Sequence, residues 1–249
     1  MLDNKADSKT HGSKIIVALD YADAASALLL VNQLDPSLCK LKVGKELFTA
    51  AGPQFVAQLI AKDFKVFLDL KFHDIPSTVK KACQAAAHLG VWMLNVHASG
   101  GMSMMQAAAE GVDIGSQSSI NKPLLIAVTV LTSMNQASLA EIGIAESVEN
   151  QVLKLAQLTQ HAGLDGVVCS ALETQLLKQH LPNNFLLVTP GIRPTTATTN
   201  IMSDDQSRVL TPLQAINMGA NYLVIGRPIT QAAQPLAVLT QIYNEISHL

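Results

Sequence analysis

The sequence predicts a single-domain α/β protein with the (β/α)8 TIM-barrel fold, and three observations support that prediction. The chain has 249 residues, and such a barrel takes about 250. Its apolar fraction of 49% is large enough to fill an extensive core. Eight short apolar segments alternate with helix-like segments, without a break in composition that would mark a second domain. An open doubly wound sheet is the alternative fold for this alternation.

The eight predicted strands are short and rich in branched apolar residues, and they lie at residues 14–20, 40–43, 65–70, 92–97, 124–130, 166–169, 185–189 and 222–225. The segments between them are rich in Ala, Leu and Gln, with apolar residues at the i, i+3 and i+4 spacing of amphipathic helices. Helices are predicted at residues 22–34, 54–61, 76–89, 102–110, 148–161 and 172–180. Pro76 suits the first turn of its helix, and Ser147 or Glu146 suits the N-cap of the fifth helix.

The composition argues against several classes of function. A net charge of -2 without a long Lys/Arg run disfavours binding to nucleic acid or to anionic membranes. Neither a dinucleotide-binding glycine fingerprint nor a Walker A motif occurs, and the seven histidines lack metal-ligand spacing. Cys39, Cys83 and Cys169 are far apart and odd in number, so we expect reduced thiols rather than a disulfide framework or a zinc site.

The start of the chain is polar and alternates acidic and basic side chains. It lacks the apolar segment of a signal peptide, and no run elsewhere approaches membrane-spanning length. We therefore expect a disordered tail at residues 1–13, a barrel domain at residues 14–249, and a soluble protein of the cytoplasm.

Residues 69–74, with the sequence DLKFHD, form the most informative segment. They follow an apolar run and precede an Ile-Pro pair, as expected where a buried strand leads into a loop. Side chains two apart on a strand share a face, so Asp69 and Lys71 should lie together, with Asp74 just beyond. An ammonium held near two carboxylates is suited to donate a proton beside a charged substrate. The alternative is a solvated ion-pair cluster, which would contribute little to stability.

Polar and special residues recur where the predicted strands end. Catalytic groups of such barrels lie at the carboxyl ends of the strands, so one functional rim is predicted there. The residues on this rim are Asp20, Lys42, Asp69, Lys71, His97, Thr132, Pro190, Gly226 and Arg227. His97 is expected to be a hydrogen-bonded structural residue. The hydroxyl of Thr132 is expected to contact a substrate, and a simple helix cap is the alternative.

The end of the chain predicts a phosphate site. Gly226 and Arg227 follow strand 8, where barrels often bind phosphate, since glycine permits close backbone approach and arginine offers a bidentate fork. The polar stretch at residues 195–208 has no clear period, and its length favours a lid, with Arg193 and Gln206 in a position to close on the phosphate. The alternatives are an ordinary turn with a surface arginine and a disordered insertion.

Six motifs in order along the chain resemble those of the orotidine 5'-phosphate decarboxylase family in its bacterial form. They are VALD at residues 17–20, LKVG at 41–44, DLKFHDIP at 69–76, HASGG at 97–101, TPGIRP at 189–194 and IGRP at 225–228. The resemblance covers nearly the whole chain, and no catalytic position departs from the family pattern.

The resemblance implies cofactor-free decarboxylation of orotidine 5'-monophosphate to uridine 5'-monophosphate and carbon dioxide, the last step of de novo pyrimidine synthesis. It implies an alternating charge array of Lys42, Asp69, Lys71 and the neighbouring subunit's Asp74, in which Lys71 gives a proton to C6 of the pyrimidine. No metal or other cofactor takes part in the implied reaction.

The resemblance also implies a homodimer, in which Asp74, Ile75 and Thr78 enter the neighbouring subunit's site. Asp20 and Lys42 would hold the ribose hydroxyls, and Thr132 would lie at the base. Pro190 is a further substrate-binding position, and the residues that would serve the phosphate and the lid are Arg193, Gln206, Gly226 and Arg227.

Two rival functions stay open. Magnesium-dependent sugar-phosphate enzymes of the same superfamily share the Asp-x-Lys-x-x-Asp pattern of strand 3, but they carry an acid on strand 2 where this chain has Lys42. The lysine would repel the metal. The other rival is a catalytically silent binder of a phosphate ligand, and the presence of Lys71 and both acids argues against it.

Overall fold

The computed structural model describes residues 13–117, 122–194 and 210–247. Within these ranges, eight parallel strands close into a barrel in which each strand pairs with its neighbours in sequence. They are β1 (Ile15–Leu19), β2 (Lys40–Gly44), β3 (Val66–Phe72), β4 (Met93–His97), β5 (Leu124–Val128), β6 (Gly166–Val168), β7 (Leu186–Thr189) and β8 (Tyr222–Ile225). The first and last strands pair through Ile16 and Val224, so the predicted barrel is confirmed and the open sheet is wrong.

Helices surround the barrel on the outside. Those in the described residues are α1 (Ala24–Val31), α2 (Lys45–Ile60), α3 (Pro76–His88), α4 (Gly101–Gly115), α5 (Gln136–Glu141), α6 (Val148–His161), α7 (Thr174–His180), α8 (Pro212–Asn217), α9 (Arg227–Thr230) and α10 (Pro235–Ile246). No helix in the described ranges is both long enough and apolar enough to cross a membrane.

Two helix starts agree with the signals in the sequence. Pro76 is in the first turn of α3, where its missing N–H leaves no helical hydrogen bond unmade. The hydroxyl of Ser147 accepts a hydrogen bond from the backbone N–H of Asn150, so Ser147, and not Glu146, is the N-cap of α6.

Helix α2 is longer than predicted, because it begins at Lys45 rather than at residue 54. Gly52 interrupts it with a φ of 69°, and Pro53 starts its second part. The Gly-Pro pair is therefore a kink within the helix and not the boundary before one. The expected tail, apart from Ser13, and the expected lid at residues 195–208 lie outside the described residues.

The core has two parts. One fills the barrel interior with five buried apolar side chains, and these are Ile16, Phe67, Met93, Ile126 and Val188. The larger part lies between the strands and the surrounding helices and includes Leu68, Leu94 and Val112. Since successive side chains of a strand alternate between these two layers, Phe67 points into the barrel and Asp69 lies above it on the same face.

A buried lysine lies at the amino ends of the strands, opposite the predicted functional rim. Lys40 begins β2 and is only 5% exposed. Its ammonium donates a hydrogen bond to the carbonyl oxygen of Ser13 and lies 5.0 Å from the ring centre of Trp92 and 5.1 Å from that of Tyr222. Burial, with a smaller contribution from the charge of Lys65, lowers the pKa of Lys40 to about 8.

Candidate active site

A cavity of about 310 Å³ opens at the carboxyl ends of the strands. Nine of the residues predicted from the sequence line it, and these are Asp20, Lys42, Asp69, Lys71, Thr132, Pro190, Arg193, Gly226 and Arg227. Its deeper wall is apolar and consists of Phe67, Val128, Val168 and Val224. The strand ends therefore bring charged groups from five separate parts of the chain to one apolar-floored cavity.

Four charged side chains form an alternating chain along one wall of this cavity. The carboxylate of Asp69 is in the middle: its Oδ1 is 2.7 Å from the Nζ of Lys71, and its Oδ2 is 3.3 Å from the Nζ of Lys42. The Nζ of Lys42 is also 3.3 Å from Oδ1 of Asp20. The side chains of Lys42 and Asp69 are 12% and 11% exposed, so a fully solvated ion-pair cluster is the wrong description of this centre.

The central carboxylate is held ionised against its burial. Burial alone would raise the pKa of Asp69, but the ammonium groups of Lys42 and Lys71, with hydrogen bonds from Lys71 and Asn95, outweigh it. The pKa of Asp69 is therefore below its ordinary value. Burial likewise opposes the charge on Lys42, yet Asp69 and Asp20 raise the pKa of Lys42 above its ordinary value.

Lys71 reaches Asp69 through an irregular backbone rather than through simple strand alternation. Strand β3 pairs with β4 through Leu68 and Leu94 and then through Phe72 and Val96, so three residues of β3 face the single residue between them on β4. Lys71 lies in this bulge with a φ of 52°, in the left-handed region that residues other than glycine seldom adopt. The predicted proximity of Asp69 and Lys71 holds, but alternation alone does not account for it.

The residue opposite the bulge is Asn95, which sequence reasoning missed. It is 0% exposed, and its Oδ1 accepts a hydrogen bond of 2.8 Å from the backbone N–H of Lys71. Its Nδ2 donates one of 2.7 Å to Oδ1 of Asp69. The available signal was an amide side chain inside the apolar strand MLNVH, because a buried amide needs partners.

The end of the cavity that is predicted to bind phosphate is formed by the chain after β7 and β8. Gly226, Arg227 and Pro228 line it from one side, and residues 190–193 line it from the other. The backbone N–H of Arg193 donates to the carbonyl oxygen of Leu210, which brings the chain back to the rim at the end of the undescribed segment. Gln206, predicted to act here, lies outside the described residues.

Three predicted residues lie outside the cavity of their own chain. Asp74, Ile75 and Thr78 are all exposed, and Ile75 has 63% of its surface accessible. The carboxylate of Asp74 accepts a hydrogen bond from the N–H of Ile75, which fixes the turn into α3. The structure therefore places these residues next to β3 but does not bring them to Lys71.

Two histidines, His73 and His97, lie near the rim but outside the cavity. The ring of His97 is 5.5 Å from that of His73, and neither residue lines the cavity. Burial, followed by the nearby His73, Lys45 and Lys71, lowers the pKa of His97. The lowered pKa favours a neutral imidazole, and the hydrogen-bonded structural role of His97 stays a prediction.

The arrangement is suited to one kind of chemistry. An ammonium that is ion-paired at the wall of a partly apolar cavity can stabilise negative charge as it forms on a bound molecule and then supply a proton. Arginine side chains at the far end suit an anionic group. In the described ranges, no group of three or more His, Cys, Asp or Glu side chains is arranged to hold a metal ion.

Comparisons with known proteins agree with this geometry. The sequence profile described as "Orotidine 5'-phosphate decarboxylase / HUMPS family" matches residues 13–242. The chain is 60% identical over 237 residues to an orotidine 5'-phosphate decarboxylase of Nitrosococcus oceani, covering 95% of this chain and 99% of that one. It is 58% identical over 233 residues to the enzyme of that name from Vibrio cholerae, covering 94% and 98%.

Two solved structures have the same fold as this chain. A crystal structure of orotidine 5'-phosphate decarboxylase from Lactobacillus acidophilus superimposes with a TM-score of 0.83 and is 37% identical, covering 94% of this chain and 98% of that one. An uncharacterised conserved protein from Geobacillus kaustophilus superimposes with a TM-score of 0.80 at 38% identity, covering 93% and 99%.

Proposed function

Because the chain belongs to the orotidine 5'-phosphate decarboxylase / HUMPS family, we propose that it converts orotidine 5'-monophosphate to uridine 5'-monophosphate and carbon dioxide. This makes it a carboxy-lyase of pyrimidine biosynthesis. The proposal extends to the mechanism, which needs no metal or other cofactor, and to the individual residues. The observation that carries it is the carboxylate of Asp69 held between the ammonium groups of Lys42 and Lys71.

The reaction starts with the bond between C6 of the pyrimidine and its carboxylate. When that bond breaks, carbon dioxide leaves and the electron pair stays on C6. The ammonium of Lys71 stabilises this charge and then transfers a proton to C6, which completes uridine 5'-monophosphate. Asp69 holds the ammonium of Lys71 in place at 2.7 Å and, being ionised, disfavours a substrate carboxylate bound beside it.

The other lining residues bind the parts of the nucleotide that do not react. Asp20 and Lys42, 3.3 Å apart, hold the ribose hydroxyls, and the hydroxyl of Thr132 contacts the base. The residues proposed for the phosphate and the closure over it are Arg193, Gln206, Gly226 and Arg227, and Pro190 lines the cavity as a further substrate-binding position. Binding energy from the phosphate can then be used to close the site and exclude water.

The acting unit in this proposal is a homodimer. Asp74, Ile75 and Thr78 are exposed and outside the cavity of their own chain, as expected if they complete the site of a second copy. The exposed side chain of Ile75 is an apolar surface that such an interface would cover. We place the enzyme in the cytoplasm, where Cys39, Cys83 and Cys169, all buried and unpaired, would stay reduced.

A magnesium-dependent sugar-phosphate reaction is the rival that the Asp-x-Lys-x-x-Asp pattern of β3 favours. The position of Lys42 argues against it, because its ammonium lies 3.3 Å from both Asp20 and Asp69. A divalent cation at these carboxylates would have to displace or approach that charge. The nucleotide reaction requires no such displacement.

The test is the ultraviolet absorbance of orotidine 5'-monophosphate incubated with the purified protein and EDTA. Loss of the orotidine signal with the wild type and not with Lys71→Ala is expected. Lys81→Ala, at an exposed position of α3, controls for loss of a lysine as such. If the wild type leaves the absorbance unchanged, with or without added magnesium, the nucleotide assignment is wrong. Turnover that appears only with magnesium would refute the cofactor-free mechanism.

The shared site is tested by mixing inactive subunits. In a mixed dimer of Lys71→Ala and Asp74→Ala, one of the two sites has both residues intact, so random exchange should restore about a quarter of wild-type activity. Lys71→Ala mixed with Asp69→Ala is the matched control, because both residues line the same cavity and no mixed dimer has a whole site. No recovery in the first mixture, despite demonstrated exchange, would show that Asp74 does not act across the interface.

A further inference from the structure

Asn95 is a buried polar side chain that contacts both members of the Asp69–Lys71 pair through different atoms. Its amide oxygen accepts from the backbone N–H of Lys71, and its amide nitrogen donates to the carboxylate of Asp69. No substrate-facing role explains it, since Asn95 is 0% exposed and does not line the cavity. The geometry instead points to control of the two residues in front of it.

The backbone contact replaces a missing bond of the sheet. Between Leu68 and Phe72, strand β3 has two more residues than the facing part of β4, so the regular ladder cannot pair every N–H there. The 2.8 Å bond to Asn95 satisfies the N–H of Lys71. It thereby helps to hold Lys71 at a φ of 52°, a conformation that costs a lysine free energy and persists only where its surroundings enforce it.

The second contact fixes the carboxylate. Oδ1 of Asp69 accepts from both the Nζ of Lys71 and the Nδ2 of Asn95, each at 2.7 Å. Two donors on one oxygen set the plane of the carboxylate, and Oδ2 is then directed at Lys42. The amide of Asn95 thus fixes both the backbone from which the Lys71 side chain extends and the orientation of the Asp69 carboxylate.

We propose that Asn95 is a positioning residue, which places the Lys71 ammonium for proton transfer by fixing both the left-handed backbone of Lys71 and the carboxylate of Asp69. This inference rests on the proposed decarboxylation. Its effect falls on the chemical step, because both hydrogen bonds of Asn95 go to the charged wall and not to the phosphate end. Loss of Asn95 therefore lowers kcat while KM stays nearly constant.

Three variants test the proposal. Asn95→Leu keeps the approximate shape and removes both hydrogen bonds, and a fall in kcat on the order of 10- to 100-fold is expected from loss of a hydrogen bond to a charged group. KM should change by less than about threefold, because KM changes when binding shared by the ground state and the transition state is removed. Asn221→Leu is the matched control at the opposite end of the barrel. There the Oδ1 of Asn221 accepts a hydrogen bond from the backbone N–H of Leu187. This variant should leave kcat within about twofold of wild type, since Asn221 lies far from the reacting atoms.

The third variant, Asn95→Asp, gives a signature that a structural role would not produce. When the introduced carboxyl is ionised, it keeps the acceptor for the N–H of Lys71 but repels Asp69, whereas when protonated it regains a donor toward Asp69. One member of such a carboxyl pair has a raised pKa. The kcat of Asn95→Asp, divided by that of the wild type in the same buffers, should therefore rise as the pH falls on the acid side of neutrality.

The outcomes separate this proposal from the proposed function. Hydrogen exchange of the Lys71 amide needs no turnover and should be faster in Asn95→Leu than in wild type or Asn221→Leu. A wild type without decarboxylase activity would remove the proposed function alone. The positioning role is refuted if Asn95→Leu keeps wild-type kcat, or if the Asn95→Asp ratio does not change with pH. Should Asn95→Leu fail to fold, the pH profile of Asn95→Asp decides the question.

Discussion

The buried Lys40 should make the stability of the protein depend on pH, and the size of this effect follows from its lowered pKa. Its pKa falls from the ordinary 10.5 to about 8, mainly through burial, and each unit of pKa is worth about 1.4 kcal/mol. Between about pH 8 and pH 10.5 the unfolded chain holds a proton that the folded one has released, so this group makes stability rise with pH across that window. Below about pH 8 the burial of the charged Lys40 lowers the free energy of unfolding by its full amount, about 3 kcal/mol.

The change to make is Lys40→Met, which keeps an unbranched apolar chain and removes the charge. The faces of Trp92 and Tyr222 offset part of the penalty, because a desolvated cation over a ring gains about 2 kcal/mol. At pH 7 the variant should therefore be more stable than wild type by at most about 1 kcal/mol, because it also loses the hydrogen bond to the carbonyl oxygen of Ser13. That advantage should shrink as the pH rises through about 8 toward 10.

Urea unfolding at pH 7, 8, 9 and 10, at one protein concentration, measures this difference. Comparing wild type with variant at each pH cancels the titration of all groups that both proteins share. Lys81→Met, at an exposed position of α3, should give a difference that does not depend on pH. A constant difference between wild type and Lys40→Met across this range would refute the reasoning.

Three further outcomes are expected. Arg227→Ala should lower kcat/KM for orotidine 5'-monophosphate by about 100-fold, with Arg227→Lys intermediate and thermal unfolding nearly unchanged; equal kinetics would remove Arg227 from the phosphate site. Asp69→Asn should abolish turnover and destabilise the protein at pH 7 by about 3 to 5 kcal/mol, because Lys71 loses its carboxylate partner and Lys42 keeps only Asp20. Because folding lowers the pKa of Asp69, the difference in the free energy of unfolding between wild type and Asp69→Asn should be present above about pH 4 and decrease below it. Urea unfolding at pH 3 to 7 measures this difference, and a difference that does not depend on pH would mean that the pairing is unimportant. Leu94→Ala, in the outer core, should cost about 2 to 5 kcal/mol in urea unfolding and leave KM unchanged, whereas a large change in KM would mean that the core and the cavity are coupled.

Most of the barrel was predictable because its strands are buried on both sides. A strand covered inside and outside is apolar throughout, and such runs stand out between Ala- and Gln-rich helices. All eight strands have ends within two residues of those predicted. The short helix α5 gave little periodic signal in its six residues, whereas α10, with Leu239, Ile242 and Ile246 buried on one face, carried a signal that could have been used.

The candidate site was predictable as far as it depends on strand ends. Asp20, Lys42 and Arg227 follow separate strands, and closing the barrel brings them together without further information. The bulge of β3 could not be predicted, because register depends on the facing strand rather than on local sequence. Asn95 could have been noted as an amide within an apolar strand, but its partners could not be predicted, because they lie where the ladder of β3 and β4 is interrupted.

The left-handed backbone of Lys71 has a consequence for protein engineering. Glycine or asparagine would adopt a φ of 52° more readily than lysine, so the folded state gains backbone free energy from either residue there. Either residue would also remove the 2.7 Å ion pair with the buried Asp69, so a library selected only for heat resistance should enrich glycine or asparagine at position 71 only together with an uncharged residue at position 69. Selection for stability alone would then remove two residues that turnover requires, and screens for both properties should hold positions 69 and 71 constant.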